Sequence, residues 1–367
     1  MRYNVAKSFY HPIFDETEGP FVSIYFETSP FAQDRNKNQI NLKNMISTLN
    51  QQHPELVAQS HQLTELLDDP SFWDQVKQGL AILMSPNENV VYFLPETLKS
   101  SLTIGDHFYI LPLVRHYQQL NEVQLLLLNR ENFKLFQGTY HKVEPLPYPN
   151  DEPITADEVL GTDTRQRYFS ATPGGRMQGD DGKSGMDDVD MLRYFQYVDK
   201  YVNNYVSKVS KLPLILVALP EYHKTFREIS ENNFLFEQGI KMDFSGFTHD
   251  DLATQLGSLL IPYNQALLSG WVNKFNTGQA NGSASDFIED VLTAVLEKRV
   301  DTLLISHDSF LYGLINVEDQ TYLVDESRSN NLSNEIAVLA LKAKSRVLVL
   351  DEDMMPTKSP VAMIARF

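Results

Sequence analysis

The amino-acid sequence predicts a mixed α/β fold in three domains. Short apolar runs rich in β-branched and aromatic residues alternate with longer segments whose apolar residues recur at helical spacing, which is typical of helices packed on sheets. The chain has 367 residues, a length that suggests two or three domains with separate cores. We place the boundaries after residues 118 and 262, which gives domains over 1–118, 119–262 and 263–367.

The first domain opens with a strand over residues 19–28 (GPFVSIYFET), rich in Val, Ile, Tyr and Phe. A second strand is predicted over 89–94 (NVVYFL). Between these strands the apolar spacing predicts helices over 38–49, 54–67 and 70–80, the last with Pro70 in its first turn. The domain closes near residues 111–113.

The second domain begins with two β-rich runs around the polar turn 129–132, which predict a hairpin of strands over 122–128 and 133–136. Further along, residues 172–185 (TPGGRMQGDDGKSG) hold five glycines. Glycine loses the most backbone entropy on ordering, so this glycine-rich segment is predicted to be a loop. A helix over 189–209, a buried strand over 214–219 and a helix that opens at 249–251 and ends near Leu260 complete the domain.

The third domain repeats the alternation of helices and strands. Ser283 and Asp286 are spaced as in a capping box, which predicts that a helix begins there. A strand over 299–306, a helix over 332–344 and strands over 346–350 and 360–367 follow.

Composition excludes several classes of site. The sequence has no cysteine, which rules out disulfides, zinc–thiolate sites, iron–sulfur clusters and thiol catalysis. The longest apolar run, residues 212–220, is far shorter than the roughly 20 residues that span a bilayer. The first residues lack the apolar core of a signal peptide. We therefore expect a cytoplasmic protein that does not bind membranes.

The chain is acidic throughout, with a formal net charge of −17. The three predicted domains carry net charges of −5, −7 and −5. A protein that binds nucleic acid over a broad face usually has a basic surface that displaces counterions from phosphates. We expect no DNA binding, and any contact with RNA must be local or made through a protein partner.

Motifs for cofactors and metals are incomplete. Gly182, Lys183 and Ser184 match the end of a P-loop, but Met177 occupies the position of its first glycine and no strand leads into the motif. His249, His307 and the acidic run 351–353 lack further ligands at metal-binding spacing. We predict no metal and no cofactor. The acids beside His249 suit the first turn of a helix.

The sequence resembles the bacterial branch of the archaeo-eukaryotic class-one release factor and Pelota superfamily over most of its length. No single motif is decisive, and the resemblance depends on the order of several landmarks. These are residues 22–30 (VSIYFETSP), 123–139 (VQLLLLNRENFKLFQGT), 212–230 (LPLILVALPEYHKTFREIS), 287–306 (FIEDVLTAVLEKRVDTLLIS) and 346–367 (RVLVLDEDMMPTKSPVAMIARF).

The resemblance implies an N-terminal α/β domain, an RNase H-like middle domain and a C-terminal α/β domain like those of kink-turn-binding ribosomal proteins. It also implies the ribosome or tRNA as a partner, and a translational GTPase as a further candidate. Release factors of this superfamily carry Gly-Gly-Gln on a middle-domain loop that reaches the peptidyl-transferase centre. The glycine-rich segment occupies the corresponding place, between the hairpin and the long helix.

The segment departs from that motif. It reads Gly174-Gly175-Arg176, with Gln178 two residues late. The planar guanidinium of Arg176 suits a phosphate better than a hydrolytic water, and Lys183 is a second candidate for a phosphate contact. The main hypothesis is a release-factor-like protein of ribosome rescue or translational stress, and the departure from Gly-Gly-Gln leaves open whether it hydrolyses peptidyl-tRNA. Two alternatives stay open: a peptidyl-tRNA hydrolase that uses Gly174, Gly175 and Gln178, and an acidic protein-binding adaptor that does not act on ribosomes.

Overall fold

The computed structural model describes residues 3–6, 8–161, 188–325 and 330–366. Helices pack on several sheets, which confirms the predicted mixed α/β class. The chain divides into two compact units. Unit 1 comprises residues 1–119 and 266–367, and unit 2 comprises residues 120–265. The division into three domains stays a prediction.

The N-terminal segment of unit 1 forms a five-stranded sheet in the order β1-β4-β3-β2-β5. Neighbouring strands are antiparallel except for the parallel pair β1 and β4. The strands are β1 (Asn4–Val5), β2 (Phe21–Glu27), β3 (Gly79–Met84), β4 (Asn89–Leu94) and β5 (Ser101–Gly105). The helices are α1 (Arg35–Gln52), α2 (Val57–Leu67), α3 (Pro70–Trp73) and α4 (Leu111–Tyr117), with 3-10 turns at Pro12–Asp15, Ala32–Asp34 and Pro54–Leu56.

The predicted helix over 70–80 is wrong beyond its first turn. Pro70 starts α3 as expected, but the helix ends at Trp73 and Gly79 begins β3. Every residue of β3 is buried, because this central strand is covered on both faces and pairs with β2 and β4. A Cβ at Gly79 would lie 2.3 Å from the Glu96 carbonyl oxygen, so this position requires glycine.

Unit 2 contains a sheet in the order β10-β9-β6-β7-β8. The predicted hairpin is confirmed as the antiparallel pair β6–β7, and β9 and β10 extend the sheet in parallel from β6. The strands are β6 (Val123–Leu128), β7 (Phe133–Gly138), β8 (Val143–Pro145), β9 (Leu214–Ala218) and β10 (Ile240–Lys241).

Helices cover both faces of the unit 2 sheet. They are α5 (Ala156–Leu160), α6 (Asp188–Val202), α7 (Lys208–Ser210), α8 (Pro220–Ile229) and α9 (His249–Asn281), with a π-helical turn at Asn203–Ser207 between α6 and α7. Alternate residues of β6 divide between two cores. Leu126 and Leu128 pack with α6, while Leu125 and Leu127 pack with the first half of α9.

Helix α9 is longer than the sequence predicts. We expected its end near Leu260, before Pro262, but the helix continues through this proline to Asn281. Proline removes one backbone hydrogen bond and normally kinks or ends a helix. Apolar residues beyond the proline offset this loss, since Leu268 and Phe275 are buried against the C-terminal sheet of unit 1.

The C-terminal segment of unit 1 contains a four-stranded sheet in the order β11-β16-β12-β15 and a separate hairpin of β13 and β14 that the sequence analysis missed. Its strands are β11 (Ala284–Ser285), β12 (Val300–Ser306), β13 (Gly313–Asn316), β14 (Thr321–Val324), β15 (Arg346–Leu350) and β16 (Val361–Ala365). Its helices are α10 (Ile288–Leu296), α11 (Leu332–Lys342) and the 3-10 turn Glu352–Met354. The strand predicted over residues 360–367 is confirmed as β16.

The predicted capping box at Ser283 and Asp286 is wrong. Helix α10 begins at Ile288 and its N-cap residue, Phe287, makes no side-chain capping bond. The Ser283 hydroxyl instead donates to Asn281 at 2.6 Å. The Phe287 backbone N–H donates to Ser285 Oγ at 3.2 Å, because residues 284 and 285 are pulled into the sheet as β11.

The N-terminal and C-terminal segments of unit 1 share one core. Two side chains join them through backbone groups. Asn334 accepts a hydrogen bond from the Ile110 N–H and donates to the Phe108 carbonyl, both at 2.9 Å. Gln118 bonds in the same way to the N–H and carbonyl of Val349, at 2.8 and 2.6 Å.

Candidate functional site at the base of the glycine-rich segment

The site residues expected from the sequence lie outside the described residues. They are Gly174, Gly175, Arg176, Gln178 and Lys183, and their roles remain predictions. The structure describes the chain up to Gly161 and again from Asp188. The protein groups that contact the residues just before and just after this segment form what is called its base below.

The first end is held by helix α5 and the hairpin turn. Thr155 and Glu158 form a capping box at the start of α5, with reciprocal hydrogen bonds of 3.3 and 3.1 Å. The bond from the Thr155 backbone N–H is the main cause of a lowered pKa for Glu158. The Ala156 N–H donates to the Glu131 carbonyl at 2.8 Å, and Thr155 forms a β-bridge with Asn132. The start of α5, which precedes the glycine-rich segment, is thus fixed to the turn between β6 and β7.

The second end is held by the same turn. Asp188, the first residue of α6, lies 3.5 Å from the Arg130 guanidinium. This guanidinium also lies over the Tyr222 ring, 5.7 Å from its centroid. The turn itself is fixed by Asn129, whose Oδ1 accepts the N–H groups of Glu131 and Asn132 at 2.8 and 2.7 Å. One four-residue turn therefore anchors both ends of residues 162–187.

The position of this turn in the sheet bears on function. Residues 129–132 follow β6, and the Leu219–Pro220 step that follows the parallel strand β9 lies at the same edge. In open α/β sheets, ligands bind beyond the carboxyl ends of the parallel strands. The described residues that flank the glycine-rich segment, the start of α5 and Asp188, thus lie against the turn at the edge where this class of sheet places its functional loops.

A strap of residues 148–155 stabilises the base by tyrosine hydroxyl groups. Tyr148 donates to the Phe133 carbonyl at 2.7 Å. From α6, Tyr194 and Tyr197 donate to carbonyls of the strap at 2.7 and 2.8 Å. Burial raises the pKa of Tyr148 and Tyr194, so these hydroxyls stay neutral donors. Their role is to position the strap.

Two buried polar groups of unit 2 complete their hydrogen bonds inside the protein. The Asp199 carboxylate accepts the Ser230 hydroxyl and, at 2.9 Å, the Glu231 N–H. His223 Nε2 lies 3.1 Å from the Ile240 carbonyl oxygen. Burial, helped by Arg227 and Lys241, lowers the pKa of His223, so the neutral ring donates this bond. Both groups serve structure.

The other histidine and acidic motifs do not assemble a metal site. The His307 N–H donates to the Leu350 carbonyl at 2.7 Å, which brings His307 near Asp351. Asp351 is paired with Arg115 at 2.6 Å. Asp250 and Asp251 occupy the first turn of α9, as expected. Across the part of the chain that the structure describes, no group of three His, Asp or Glu side chains could hold a metal ion.

No helix within the described ranges is both long and apolar enough to cross a membrane.

Comparison with known proteins gives one family and several similar structures. Residues 123–299 match the family "Bacterial archaeo-eukaryotic release factor family 3". This match covers β6 to α10 and includes both ends of the glycine-rich segment. Among curated proteins, none matches the chain.

Three solved structures are similar to the chain at low identity. The crystal structure of the archaeal translation termination factor aRF1 is 13% identical, covers 97% of this chain and 95% of its own, and has a TM-score of 0.25. Archaeal Pelota, from a model of ribosome-bound Pelota and ABCE1, is 14% identical over 79% and 72% of the two chains, with a TM-score of 0.40. Dom34 of S. cerevisiae is 10% identical over 79% and 73%, with a TM-score of 0.41.

Proposed function

We propose that the chain belongs to the bacterial branch of the archaeo-eukaryotic release factor superfamily, whose family model matches residues 123–299, and that it acts on ribosomes. Its role is that of a release-factor-like protein in ribosome rescue or in the response to translational stress. The family match is the observation that carries this proposal. A translational GTPase belongs to the same proposal as a partner.

The chemistry of the glycine-rich segment favours binding over hydrolysis. Gly174 and Gly175 allow a close approach of the backbone to a nucleic-acid end. Arg176 stands where the release-factor motif has glutamine, and its guanidinium pairs with phosphate oxygens. Because the whole chain carries a charge of −17, broad contact with ribosomal RNA is unfavourable. We assign this segment's contact to Arg176 and Lys183.

Co-sedimentation with ribosomes tests the proposal. The full chain is expected to pellet with ribosomes at physiological salt, and the double variant R176E/K183E to pellet several-fold less. The matched control is K208E/K224E, which makes the same charge change at two exposed lysines of unit 2. Failure of the unmodified chain to bind any ribosomal state, or an equal loss in both variants, would refute the proposal.

Peptide release separates the hydrolase alternative, which Gly174, Gly175 and Gln178 favour. Ribosomes loaded with peptidyl-tRNA are incubated with the full chain and with G174A/G175A. We expect no release above background from either protein. Release by the unmodified chain that disappears in G174A/G175A would assign hydrolysis to the segment instead.

A further inference from the structure

The C-terminal sheet of unit 1 gathers positive charge at one end. Seven of the nine Lys and Arg residues in 263–367 belong to the elements that meet there. Strands β12 and β15 are parallel and start at this end, and the antiparallel strand β16 finishes there, since Thr302 pairs with Arg346 and Val300 with Ala365. The seven are Lys274, Lys298, Arg299, Lys342, Lys344, Arg346 and Arg366.

Two of these seven cations are committed to the fold. The Arg366 guanidinium donates to the carbonyls of Val300 and Ala343 at 2.8 and 2.6 Å. Arg299 is paired with Glu297 at 2.5 Å. The other five are exposed, and among the residues that the structure describes no carboxylate lies within 4.0 Å of them. These five, Lys274, Lys298, Lys342, Lys344 and Arg346, are called the basic pole below.

Helix dipoles account for only part of this charge. Helices α10 and α11 end at the basic pole, and each carries a partial charge of about −0.5 at its C-terminus. Together they compensate about one of the five cations. The excess is notable in a chain whose net charge is −17.

Two of the cations pack against the ring of Trp271. Lys274 Nζ lies 3.8 Å from the centroid of the Trp271 ring, and the Arg346 guanidinium carbon lies 4.2 Å from the same centroid. Each cation is attracted to the ring electrons, although the two repel each other. Both side chains remain exposed, so a negatively charged ligand can still reach their charges.

An open cleft of about 390 Å³ lies beside Arg346 within unit 1. Phe9 and Tyr117 line one side, and Lys344, Arg346 and Val347 line the other. The two rings lie 6.1 Å apart and are half-buried. Aromatic rings beside cations are the combination that binds single-stranded nucleic acids, because bases stack on the rings while phosphates meet the cations.

Lys298 and Lys344 occupy backbone positions that favour glycine. Their φ angles are 58° and 61°, at the ends of α10 and α11, where glycine is the usual residue. The left-handed conformation is costly for residues with a side chain. A lysine at these two positions therefore contributes charge to the basic pole at the expense of backbone stability.

We propose that the basic pole and its cleft bind single-stranded RNA. Lys274, Lys344 and Arg346 contact successive phosphates, and one base stacks against Tyr117 and Phe9. Single-stranded RNA supplies a phosphate and a planar base at every nucleotide, which matches cations that lie beside an aromatic wall. This site is in unit 1 and is independent of the glycine-rich segment.

Binding of a fluorescent oligouridylate of about 12 nucleotides to the full chain tests the site. Affinity is measured by anisotropy across a range of salt concentrations, in the absence of ribosomes. We expect R346E to weaken binding by about tenfold or more, and K344G to weaken it several-fold. The slope of log affinity against log salt should become shallower by about 0.7 for each cation removed.

The matched control is Lys211→Gly. Lys211 has the same left-handed backbone, with φ 62°, and lies in unit 2. The variant makes the same chemical change outside the basic pole and should bind the oligonucleotide like the unmodified chain. Since glycine suits φ near 60°, loss of binding in K344G cannot be attributed to unfolding.

Three results would contradict RNA binding at the basic pole. They are no binding of the oligonucleotide even at low salt, equal affinities of K344G and K211G, and equal binding of a polyglutamate peptide of the same length. Replacement of Tyr117 by Leu sharpens the test. It should lower the affinity for RNA and leave the salt slope unchanged, and an unchanged affinity would overturn the stacking contact. Because no ribosome is present, failure here leaves the co-sedimentation result standing.

Discussion

The sheet of unit 2 and the C-terminal sheet of unit 1 place their polar groups at opposite ends of the parallel strands. In unit 2 these groups lie beyond the carboxyl ends of β6 and β9, around the turn 129–132. In unit 1 the basic pole lies at the amino ends of β12 and β15. The first edge is made of groups that bond to one another, and the second is made of cations without carboxylate partners among the described residues.

The two edges therefore suit different roles. At the turn 129–132, the Glu131 carbonyl accepts the Ala156 N–H and the Arg130 guanidinium pairs with Asp188, while Asn129 closes the turn itself. Such an edge fixes the chain on both sides of the glycine-rich segment, which agrees with our proposal that this segment makes the ribosomal contact. The basic pole has no such segment to hold, and its charges are available to a ligand directly.

Removal of the Phe133 ring should destabilise unit 2 without affecting unit 1. This side chain is 1% exposed and contacts the rings of Tyr148 and Tyr201 at 5.5 and 5.4 Å. F133A should reduce the free energy of unfolding of unit 2 by about 3–5 kcal/mol. Both tryptophans, Trp73 and Trp271, lie in unit 1, so urea unfolding can be followed by tryptophan fluorescence for unit 1 and by circular dichroism for both units.

The expected result for F133A is an early transition in circular dichroism with an unchanged fluorescence transition. RNA binding at the basic pole should persist at urea concentrations where unit 2 has unfolded. If both signals shift by the same amount, the two units unfold together and the two edges cannot be treated separately.

A smaller effect is expected at Asp199. This carboxylate is 3% exposed, and D199A leaves the Ser230 hydroxyl and the Glu231 N–H without their acceptor. We expect a loss of about 1–3 kcal/mol in the stability of unit 2, the usual cost of unsatisfied buried donors. D190A, at the first turn of the same helix, where the half-buried Asp190 pairs with the exposed Arg193 at 3.3 Å, is the control and should cost less. Equal losses in the two variants would show that the bonds to Ser230 and Glu231 do not contribute measurably to the stability of unit 2.

His223 in unit 2 and His307 in unit 1 should each make the stability of their unit depend on pH. Burial lowers the pKa of His223 in unit 2 and of His307 in unit 1 below the usual 6.5. Arg227 and Lys241 add to the effect at His223, and Arg115 and Lys99 at His307, where Asp308 and Asp351 oppose it. The unfolded chain therefore takes up these protons more readily than the folded chain.

It follows that both units should lose stability as the pH falls below about 6.5. H223Q should flatten this dependence in the circular dichroism transition of unit 2, and H307Q in the fluorescence transition of unit 1. An unchanged pH dependence in either variant would show that another group controls the acid response of that unit.

The smallest effects concern the lysines in left-handed backbone. K298G and K344G in unit 1, and K211G in unit 2, should each raise stability by up to about 1 kcal/mol, because glycine adopts positive φ without steric cost. Urea unfolding followed by the two signals assigns each gain to its unit. A stability loss in K298G or K344G would mean that these lysines stabilise the fold, and their presence would then say nothing about a ligand.

Much of the fold could be predicted from the sequence because period and composition are local. The strand at Phe21–Glu27 and the hairpin of β6 and β7 carried strong apolar signals. The start of β3 carried no such signal. A strand that is buried on both faces shows no alternation of apolar and polar residues, and its first residues extended the apolar helical spacing of residues 70–80. Pro262 ended the prediction for α9, since the burial of Leu268 and Phe275 beyond it depends on tertiary contacts.

The glycine-rich segment and the basic pole also differ in how far the sequence predicts them. The sequence located the glycine-rich segment by composition, but the contact of Arg130 with Asp188 joins residues 58 positions apart and no local pattern announces it. Net charge by domain concealed the basic pole, because each predicted domain is acidic. Only the parallel pairing of β12 and β15 places Lys298, Lys344 and Arg346 at the same end of the sheet.

The most direct test of the account is photo-cross-linking from the glycine-rich segment. A photoreactive amino acid replaces Met177 in the full chain and, as a control, replaces Val209, which is 75% exposed in unit 2. After irradiation with ribosomes, we expect cross-links from position 177 to ribosomal RNA or tRNA, and few from position 209. Co-sedimentation without any RNA cross-link from position 177, or equal cross-linking from both positions, would contradict the claim that this segment makes the ribosomal contact.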